Sequence, residues 1–530
     1  MSAAATTPAT HHDAALEFSA GRKWIIALSV MLGTVLEVLD SSIVNVSLPH
    51  MQGSFSASVD EIAWVVTSYL VAAGIMIPMT GWIAGRFGRK RYFIISITAF
   101  VIASALCGIA QSLNQIVFFR LLQGAAGAAM MPLSQAILME TFPPHEQAMA
   151  MAIWGMGLMV APIMGPTVGG WITDAATWRW NFYINVPIGT AAGFLVSRFV
   201  EDPAYLHHLR QKSGVDYLGI VCLVVALGLA EIVLDRGERA DWFQSPWVWY
   251  CTLTALTAFA ILGYHEWRTP EPIVAVRILT NRNFTLPMAL VIFLTFTAYG
   301  TAILNPVFLQ ELLGYTASKA GMVMAPRGFG TMMAMLVLGT LARRGADTRP
   351  LVGIGFCLIA LALWFMAHFN LTVSIFSIVW PTIVQGLGMG LVFPGLSAAA
   401  LSTIERPKMG YATSLFAVTR NLGAAIGTSA LTTMLVRREQ IRQSYLVEHF
   451  SVFTMARLQN VPGVNMDYVH QLSTGQKQGL VMLYGFVQRH AMMLSFNDLY
   501  RFLCGLMLLA APACFFLRRD TRGRPVTDAH

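Results

Sequence analysis

Charged residues are scarce in this chain of 530 residues. Lys, Arg, Asp and Glu make up only 12% of it, whereas 56% of the residues are hydrophobic. A soluble domain carries roughly twice that share of charge. Apolar segments of about 18 to 26 residues recur along the chain, and each is long enough to cross a bilayer as a helix. These patterns exclude a soluble globular class and predict an all-α polytopic membrane protein.

Motifs of several other protein classes are missing. The six cysteines show no CxxC or Cys/His spacing, which disfavours a disulfide framework and a zinc site. No GxxxxGK[ST] loop occurs, which disfavours an ATP-driven motor. The sequence contains no nucleophile–base constellation of the kind that would indicate an enzyme. We therefore expect neither enzymatic activity nor a cofactor or metal, and we attribute the net charge of +8 to membrane orientation rather than to nucleic acid binding.

Fourteen apolar segments are candidates for membrane-spanning helices. An even number places both termini on the same side of the membrane. The predicted spans are 24–49, 62–84, 92–111, 116–139, 148–172, 180–199, 217–234, 247–265, 284–309, 318–341, 351–369, 375–400, 410–436 and 499–517.

The distribution of basic residues in the loops predicts the orientation. If the amino terminus is cytoplasmic, most loop arginines and lysines fall on the cytoplasmic side, including those of segment 86–91. The short outer loops then contain only Arg179, Arg236, Arg239 and Lys319. This asymmetry is the positive-inside signature, so both termini are expected in the cytoplasm.

The chain contains an internal repeat with an offset of 262 residues. "QGAAGAAMMPLS" (123–134) is similar to "QGLGMGLVFPGLS" (385–397), and Ala161 and Gly165 correspond to Gly423 and Gly427. Two parallel six-helix halves separated by a two-helix insertion would produce this spacing. Such halves rock against each other around a midplane site in secondary transporters. Chance similarity among Gly/Ala-rich helices explains one pair but not several at one offset.

Two carboxylates interrupt the first apolar segment. Thr34, Glu37, Ser41 and Asn45 share one helical face, and Asp40 lies beside it. A carboxylate near the bilayer centre costs roughly 3 kcal/mol on insertion scales, which indicates a function such as holding and releasing a proton. Asp40 is the stronger proton-coupling candidate and Glu37 a possible partner that shares the proton. The alternative is that Asp40 only hydrogen-bonds a neighbouring helix.

Arg120 is the third buried charge in the predicted proton-coupling set. It lies about four residues inside the fourth span and has Thr382, not a basic residue, at the matching repeat position. It can bind a carboxylate and so connect protonation to helix position. The alternative is an interfacial arginine that reaches headgroups.

Several motifs resemble the fourteen-helix drug:proton antiporter branch of the major facilitator superfamily, the EmrB/QacA-like multidrug efflux proteins. The resemblance covers nearly the whole chain after residue 20. It rests on "LDSSIVNVSLP" (39–49), "GWIAGRFGRKR" (81–91), "RLLQGAAGA" (120–128), "APIMGPTVGG" (161–170), "WRWNFYINVPIG" (178–189), "LDRGERADWF" (234–243) and "RNF" (282–284). Gly85 stands where the superfamily loop motif usually has an acidic residue.

The resemblance implies the major facilitator fold, with two six-helix halves and two inserted helices. It also implies a proton-coupled antiporter that exports lipophilic or cationic drugs across the cytoplasmic (inner) membrane, in contact with lipids. A periplasmic membrane-fusion adaptor and an outer-membrane channel are possible partners. The expected units are a cytoplasmic tail (1–23), a first half (24–200), a linker with two inserted helices (201–283), a second half (284–517) with an extracytoplasmic loop (437–498), and a cytoplasmic tail (518–530).

Two further sets of residues complete the predicted site. Aromatic and polar side chains suited to flat lipophilic cargo predict a substrate cavity lined by Trp64, Tyr69, Gln123, Trp154, Tyr299 and Phe329. Glycines, prolines and loop cations that permit close packing and bending predict gating motifs at Gly81, Arg86, Gly88, Arg89, Pro162, Gly165, Pro166, Gly169 and Gly170.

Fold does not fix the substrate, so other functions stay open. The first alternative is a carrier of the same fold for a specific metabolite or siderophore. The second is a membrane scaffold or sensor that transports nothing, against which the repeat and the intramembrane charges argue.

Overall fold

A computed structural model describes residues 19–202, 215–270, 272–344, 346–448 and 477–517, and the two predicted tails lie almost entirely outside them. The described residues contain helices and no strands. The long helices are α1 (Ala20–Phe55), α2 (Trp64–Phe87), α3 (Arg89–Ile109), α4 (Leu113–Gly127), α5 (Met130–Thr141), α6 (Pro144–Ala175), α7 (Asn185–Phe199), α8 (Tyr217–Arg236), α9 (Pro246–Arg268), α10 (Arg282–Val307), α11 (Ala317–Arg343), α12 (Thr348–Met366), α13 (Ile375–Ser402), α14 (Met409–Glu448) and α15 (Lys477–Ala513).

Helices occupy all fourteen predicted span positions. Within the described residues, twelve helical segments are long and apolar enough to cross a membrane. The other two positions hold α7, which follows the short helix Trp180–Tyr183, and α14, which continues far into polar sequence. The predicted fourth span is interrupted between α4 and α5. The number of fourteen crossings stays a prediction.

The segment 437–498 is not a loop at either end, contrary to expectation. Residues 437–448 continue α14, and α15 begins at Lys477, well before the predicted start at 499; residues 449–476 lie outside the described ranges. The stretch RREQIRQSYLVE is free of Gly and Pro and rich in helix formers, so it extends a helix that hydropathy alone ends at 436.

Many of the helices begin with a polar N-cap residue. The first backbone N–H groups of a helix have no intrahelical acceptor, and a side-chain oxygen at the preceding position satisfies one of them. The described helices α4, α8, α10, α11, α12 and α13 begin in this way, with acceptors on Ser112, Asp216, Asn281, Thr316, Asp347 and Ser374.

The two halves repeat the same packing. Helix α1 packs on α6 as α10 packs on α14, and α2 packs on α4 as α11 packs on α13. A Cβ atom at Gly124 would lie 2.9 Å from the carbonyl carbon of Tyr69, and one at Gly386 would lie 3.0 Å from the carbonyl carbon of Arg327. Both glycines therefore permit the same close approach, 262 residues apart.

The halves meet through α2 with α14 and through α6 with α11, again as equivalent pairs. A Cβ at Gly81 would come within 2.7 Å of the Tyr411 backbone, and Arg89 Nη2 lies 3.5 Å from the Arg406 carbonyl oxygen. We call this region, defined by Gly81, Arg89, Arg406 and Tyr411, the closed end. It is the end that the positive-inside rule assigns to the cytoplasm.

The inserted helices α8 and α9 form a hairpin that contacts both halves. The Thr67 hydroxyl of α2 donates to Asp235 Oδ2 at 2.5 Å. The Thr433 hydroxyl of α14 donates to Glu238, and Trp242 Nε1 donates to the Thr433 hydroxyl at 2.9 Å. The insertion therefore adds a second connection between the halves.

Candidate functional site

Asp40 is fully buried in the middle of α1, and three side chains donate hydrogen bonds to its carboxylate. Arg120 Nη1 lies 2.6 Å from Oδ2, while Gln123 Nε2 and Asn185 Nδ2 lie 2.9 and 2.6 Å from Oδ1. The donors come from α4 and α7. Charge-assisted bonds of this kind hold the carboxylate at the junction of three helices.

Arg120 is equally buried, with 1% of its surface exposed. Its Nε donates to the Val65 carbonyl at 3.1 Å, and its Nη1 also donates to Gln123 Oε1 at 2.8 Å. The guanidinium lies 4.2 Å from the centre of the Tyr69 ring, within cation–π range. The interfacial alternative for Arg120 is wrong because its hydrogen bonds and the ring direct it into the first half.

Asn185 belongs to this site although the sequence analysis gave it no role. It donates to Ser104 Oγ at 2.9 Å as well as to Asp40, and Ser104 in turn donates to the Phe182 carbonyl. The available signal was a pair of asparagines, Asn181 and Asn185, four apart in "NFYIN" within an apolar span. Both side chains are fully buried. A polar side chain inside a membrane helix is costly unless it pairs with another polar group, so two such residues indicate hydrogen-bond partners nearby.

Glu37 has different surroundings from Asp40. It is partly exposed, yet its Oε2 atom is buried and has no hydrogen-bond partner among the described residues. The charges that act on it electrostatically are those of Arg420 on α14 and of Asp40. The predicted pair of carboxylates therefore separates into one carboxylate held by three donors and one whose buried Oε2 atom has no donor among the described residues.

The structure divides the six predicted cavity residues into two groups. Tyr69, Gln123 and Trp154 are buried, with 4%, 0% and 1% of their surfaces exposed. Tyr69 and Gln123 belong to the Asp40 site, where the Gln123 amide bridges Asp40 and Arg120, so it does not line an open surface. Trp154 donates to Ser134 Oγ at 2.7 Å and stacks on Phe393 of the second half.

The remaining three predicted cavity residues, Trp64, Tyr299 and Phe329, are exposed. The guanidinium of Arg236 lies 4.5 Å from the Trp64 ring centre, which connects Trp64 to the inserted hairpin. Tyr299 lies on α10 of the second half. Phe329 is 66% exposed, and the single cavity stays a prediction.

The loop motif lies at the closed end. Gly88 has φ of +91°, a backbone conformation that favours glycine, and it separates α2 from α3. Arg89 is buried and forms an ion pair with Glu140 at the end of α5. The Arg86 guanidinium lies 5.7 Å from the Trp82 ring centre. The glycine and the buried arginine of this motif thus shape the contact between the halves.

A cavity of about 620 Å³ lies beside the contact between the halves at the closed end. Its lining includes Arg86 and Arg89 from the first half, Arg277 from the linker and Lys408 from the second half. The cavity does not include Asp40 or Glu37, so it is separate from the membrane-embedded charges.

The predicted gating glycines of α6 pack within the first half. A Cβ at Gly165 would lie 2.5 Å from Ser42 Cβ, and one at Gly169 would lie 3.0 Å from Ile43 Cγ2. These contacts press α6 against α1 beside Asp40. At Gly170 the nearest atom, on Val46, lies at 4.0 Å. Pro162 and Pro166 lie in the same continuous helix.

The half-to-half contacts of α6 come from its first turns instead. A Cβ at Gly155 would lie 3.0 Å from the Met335 side chain, and one at Gly339 would lie 3.1 Å from Met149 Cα. Glycine and proline in a sequence motif indicate close packing without indicating the partner helix.

Comparison with known proteins agrees with this architecture. The model of the Major Facilitator Superfamily matches residues 30–428 of the chain. The chain belongs to the major facilitator superfamily. The family predicted from the motifs is thus confirmed.

Named relatives of this superfamily cover most of the chain. The "Multidrug export protein EmrB" of Escherichia coli (strain K12) is 33% identical over 498 residues, 93% of this chain and 95% of that protein. The "Fatty acid resistance protein FarB" of Neisseria gonorrhoeae is 33% identical over 457 residues, 86% of this chain and 89% of that protein.

Solved structures of the superfamily share the fold. The human organic anion transporter MFSD10 (TETRAN) has a TM-score of 0.62 at 13% identity and covers 93% of this chain and 99% of its own. The proton:xylose symporter XylE has a TM-score of 0.64 at 14% identity, with coverages of 95% and 98%. At these identities the likeness concerns the fold alone.

Proposed function

We propose that the protein is a proton-coupled antiporter that exports lipophilic or cationic compounds across the cytoplasmic membrane. The observation that carries the proposal is the Asp40 carboxylate, buried in a membrane-spanning helix and bonded to Arg120 at 2.6 Å. Charges at such a depth are expensive and mark ion or proton pathways. The names of the relatives, a multidrug export protein and a fatty acid resistance protein, support export and lipophilic cargo.

Proton binding at Asp40 would alter the contact between α1 and α4. A neutral carboxyl group no longer attracts Arg120, whose other contacts, the Val65 carbonyl, Gln123 Oε1 and the Tyr69 ring, all lie on α2 and α4. Arg120 would then stay with α4 while α1 is released. Because α1 also packs on α6 and α7, this local change can bias the rocking of the first half.

The orientation and partners belong to the same proposal. Both termini would face the cytoplasm, the linker 201–283 would carry the two inserted helices between the halves, and α14 and α15 would extend beyond the membrane on the outer side. Those polar extensions, residues 437–448 and the beginning of α15, would give a periplasmic adaptor and, through it, an outer-membrane channel a surface to bind.

The test is transport in proteoliposomes under an imposed pH gradient, with ethidium as a lipophilic cation. Wild type is expected to move ethidium in response to the gradient, and Asp40→Asn to lose that response because Asn cannot exchange a proton. Unchanged gradient-driven transport in Asp40→Asn would remove Asp40 as the proton site. Wild-type vesicles that move neither ethidium nor any other lipophilic compound would favour a metabolite carrier or a scaffold.

A further inference from the structure

The turn at the outer end of the inserted hairpin lies between the two halves. It comprises residues 235–242, within the motif LDRGERADWF, to which the proposed function assigns no role. At the closed end, α2 and α14 touch directly through Gly81 and Tyr411. Thr67 lies about 21 Å further along α2, and Thr433 lies about 33 Å further along α14. At these two positions the turn hydrogen-bonds both helices.

Two residues of the turn, Asp235 and Arg236, attach it to the first half. The Thr67 hydroxyl donates to Asp235 Oδ2 at 2.5 Å. The Arg236 guanidinium lies 4.5 Å from the centre of the Trp64 ring, and its Nη1 donates to the Asp60 carbonyl at 3.2 Å. Helix α8 also packs more extensively on α2 than on α14. The hairpin is therefore held to the first half by several separate contacts.

On the second half, the hydrogen bonds of the turn converge on one hydroxyl group. The Thr433 hydroxyl donates to Glu238, and Trp242 Nε1 donates to the same hydroxyl at 2.9 Å. Trp242 Nε1 also donates to Glu238 Oε2 at 2.8 Å, so the three side chains close a ring. Without the Thr433 hydroxyl, Glu238 and Trp242 would keep their own bond but lose the second half.

The backbone of the turn is tightly constrained. Asp241 and Trp242 both have φ of +52°, a left-handed conformation that a bulky residue such as Trp rarely adopts. A Cβ at Gly237 would lie 2.9 Å from Trp242 Cε3, so the indole ring packs on the glycine. Such a backbone persists only where the surrounding structure determines it. The turn is therefore a spacer of fixed length.

We propose that this turn is a clamp that positions the outer ends of α2 and α14 while the closed end is together, and that it releases Thr433 when the closed end opens. We call it the outer clamp; it consists of Asp235, Glu238 and Trp242 with their partners Thr67 and Thr433. The clamp rests on the proposed transport function because it acts on the rocking of the halves. Its members are positioning residues, separate from the proton site.

The rocking of the halves explains the release. Ala73 of α2 and Ala417 of α14 share a small apolar cluster between the closed end and the clamp. Opening at one side of this cluster changes the separation of the two helices at the other side. A spacer of fixed length then cannot keep both attachments. The attachment to the second half yields because its bonds share the Thr433 hydroxyl, and the hairpin moves with the first half.

The test measures the distance across the closed end by spin labelling in lipid nanodiscs. Labels are attached at Arg91→Cys and Arg344→Cys, two exposed positions of the two halves, in the full chain without its six native cysteines once its thermal unfolding matches wild type. Thr433→Val is expected to increase the open population about fivefold, the effect of one ordinary hydrogen bond. Adding Glu238→Ala to Thr433→Val is expected to open it no further, because the attachment is already lost.

Thr432→Val is the matched control. Each of the hydroxyls of Thr432 and Thr433 also donates to the carbonyl four residues before it, at 2.9 Å. Thr432→Val deletes the same group outside the clamp and should leave the distance distribution unchanged. Equal opening in both variants, or an unchanged distribution in Thr433→Val, would overturn the clamp. A lower unfolding temperature in Thr433→Val without a change in distance would also overturn it, by leaving the contact a purely structural role.

A second measurement shows which half the hairpin follows. A label at exposed Gln244→Cys, at the end of the turn, is combined with one at exposed Asn114→Cys of the first half or exposed Gln440→Cys of the second half. In Thr433→Val, the distribution between 244 and 440 should broaden, whereas that between 244 and 114 should match wild type. The reverse result would contradict release from Thr433 and overturn the proposal.

The outcome is independent of the proton site. Loss of gradient-driven transport in Asp40→Asn together with unchanged distances in Thr433→Val would leave the proposed function intact and reject the clamp. Gradient-driven transport retained in Asp40→Asn together with opening in Thr433→Val would support the clamp and reject Asp40.

Discussion

The Asp40 carboxylate is stabilised by helices that are distant from it in sequence. Arg120, Gln123 and Asn185 each donate one hydrogen bond to it from α4 and α7. A buried ion pair is weak evidence for stability, because its desolvation penalty offsets much of the attraction. Its retention inside a membrane protein is better explained by the charge itself, which a proton can remove.

The first prediction at the residue scale concerns this ion pair. Arg120→Gln leaves the Asp40 charge buried without a cation, which costs about 3–5 kcal/mol. The double variant Asp40→Asn/Arg120→Gln leaves no charge and is expected to regain most of that stability. Thermal unfolding followed by tryptophan fluorescence in detergent measures the difference, and a double variant less stable than Arg120→Gln would contradict the expectation.

At the scale of elements, the glycines determine which helices touch. Helices in a membrane gain little from burying apolar surface against each other, so close backbone approach through small residues gives much of their packing energy. Gly124 and Gly386 make equivalent approaches in the two halves, whereas Gly81 makes one between the halves. The residue type was visible in the sequence, but the partner helix was not.

Gly81 and Gly85 supply a matched pair for a prediction on α2. A Cβ at Gly81 would lie 2.7 Å from the Tyr411 backbone, whereas none of the atoms around Gly85 would lie within 4 Å. Overpacking costs about 1–3 kcal/mol, so Gly81→Ala should disfavour the closed end and reduce the ethidium transport rate about tenfold.

Gly85→Ala is the control for this change. It adds the same methyl group one turn along the same helix and should keep the rate within about twofold of wild type. Equal losses in both variants would show that helix α2 itself, not its contact with α14, is sensitive to the methyl group.

For the whole molecule, the number and orientation of the crossings can be tested by labelling. On a background without native cysteines, a cysteine at exposed Arg91 should react with a membrane-impermeant maleimide only after the cells are opened. A cysteine at Trp249, exposed near the start of α9, should react in intact spheroplasts. Labelling of both from the same side would contradict the predicted orientation, since an odd number of the predicted spans lies between them.

Sequence patterns predicted most of the fold and part of the site. Apolar length located helices at all fourteen positions, and the repeat of Gln123 at Gln385 indicated the two halves. Hydropathy failed at 437–448 and 477–498, because a helix continues wherever its residues favour it, whether or not a membrane surrounds it. Asp40 and Arg120 were selected as isolated charges in apolar sequence, but Asn185, a neutral residue, gave a weaker signal.

The sequence by itself determined that the chain crosses a membrane in two repeated halves, because apolar length and a constant offset are properties of the chain alone. It also determined which buried residues carry charge. Only the tertiary structure decided which charges meet. Asp40 binds Arg120 and Asn185, 80 and 145 residues away, whereas the Oε2 atom of Glu37, three residues from Asp40, has no hydrogen-bond donor among the described residues. The physical reason is that hydrogen bonds and Coulomb attraction depend on distance in space, which helix packing sets.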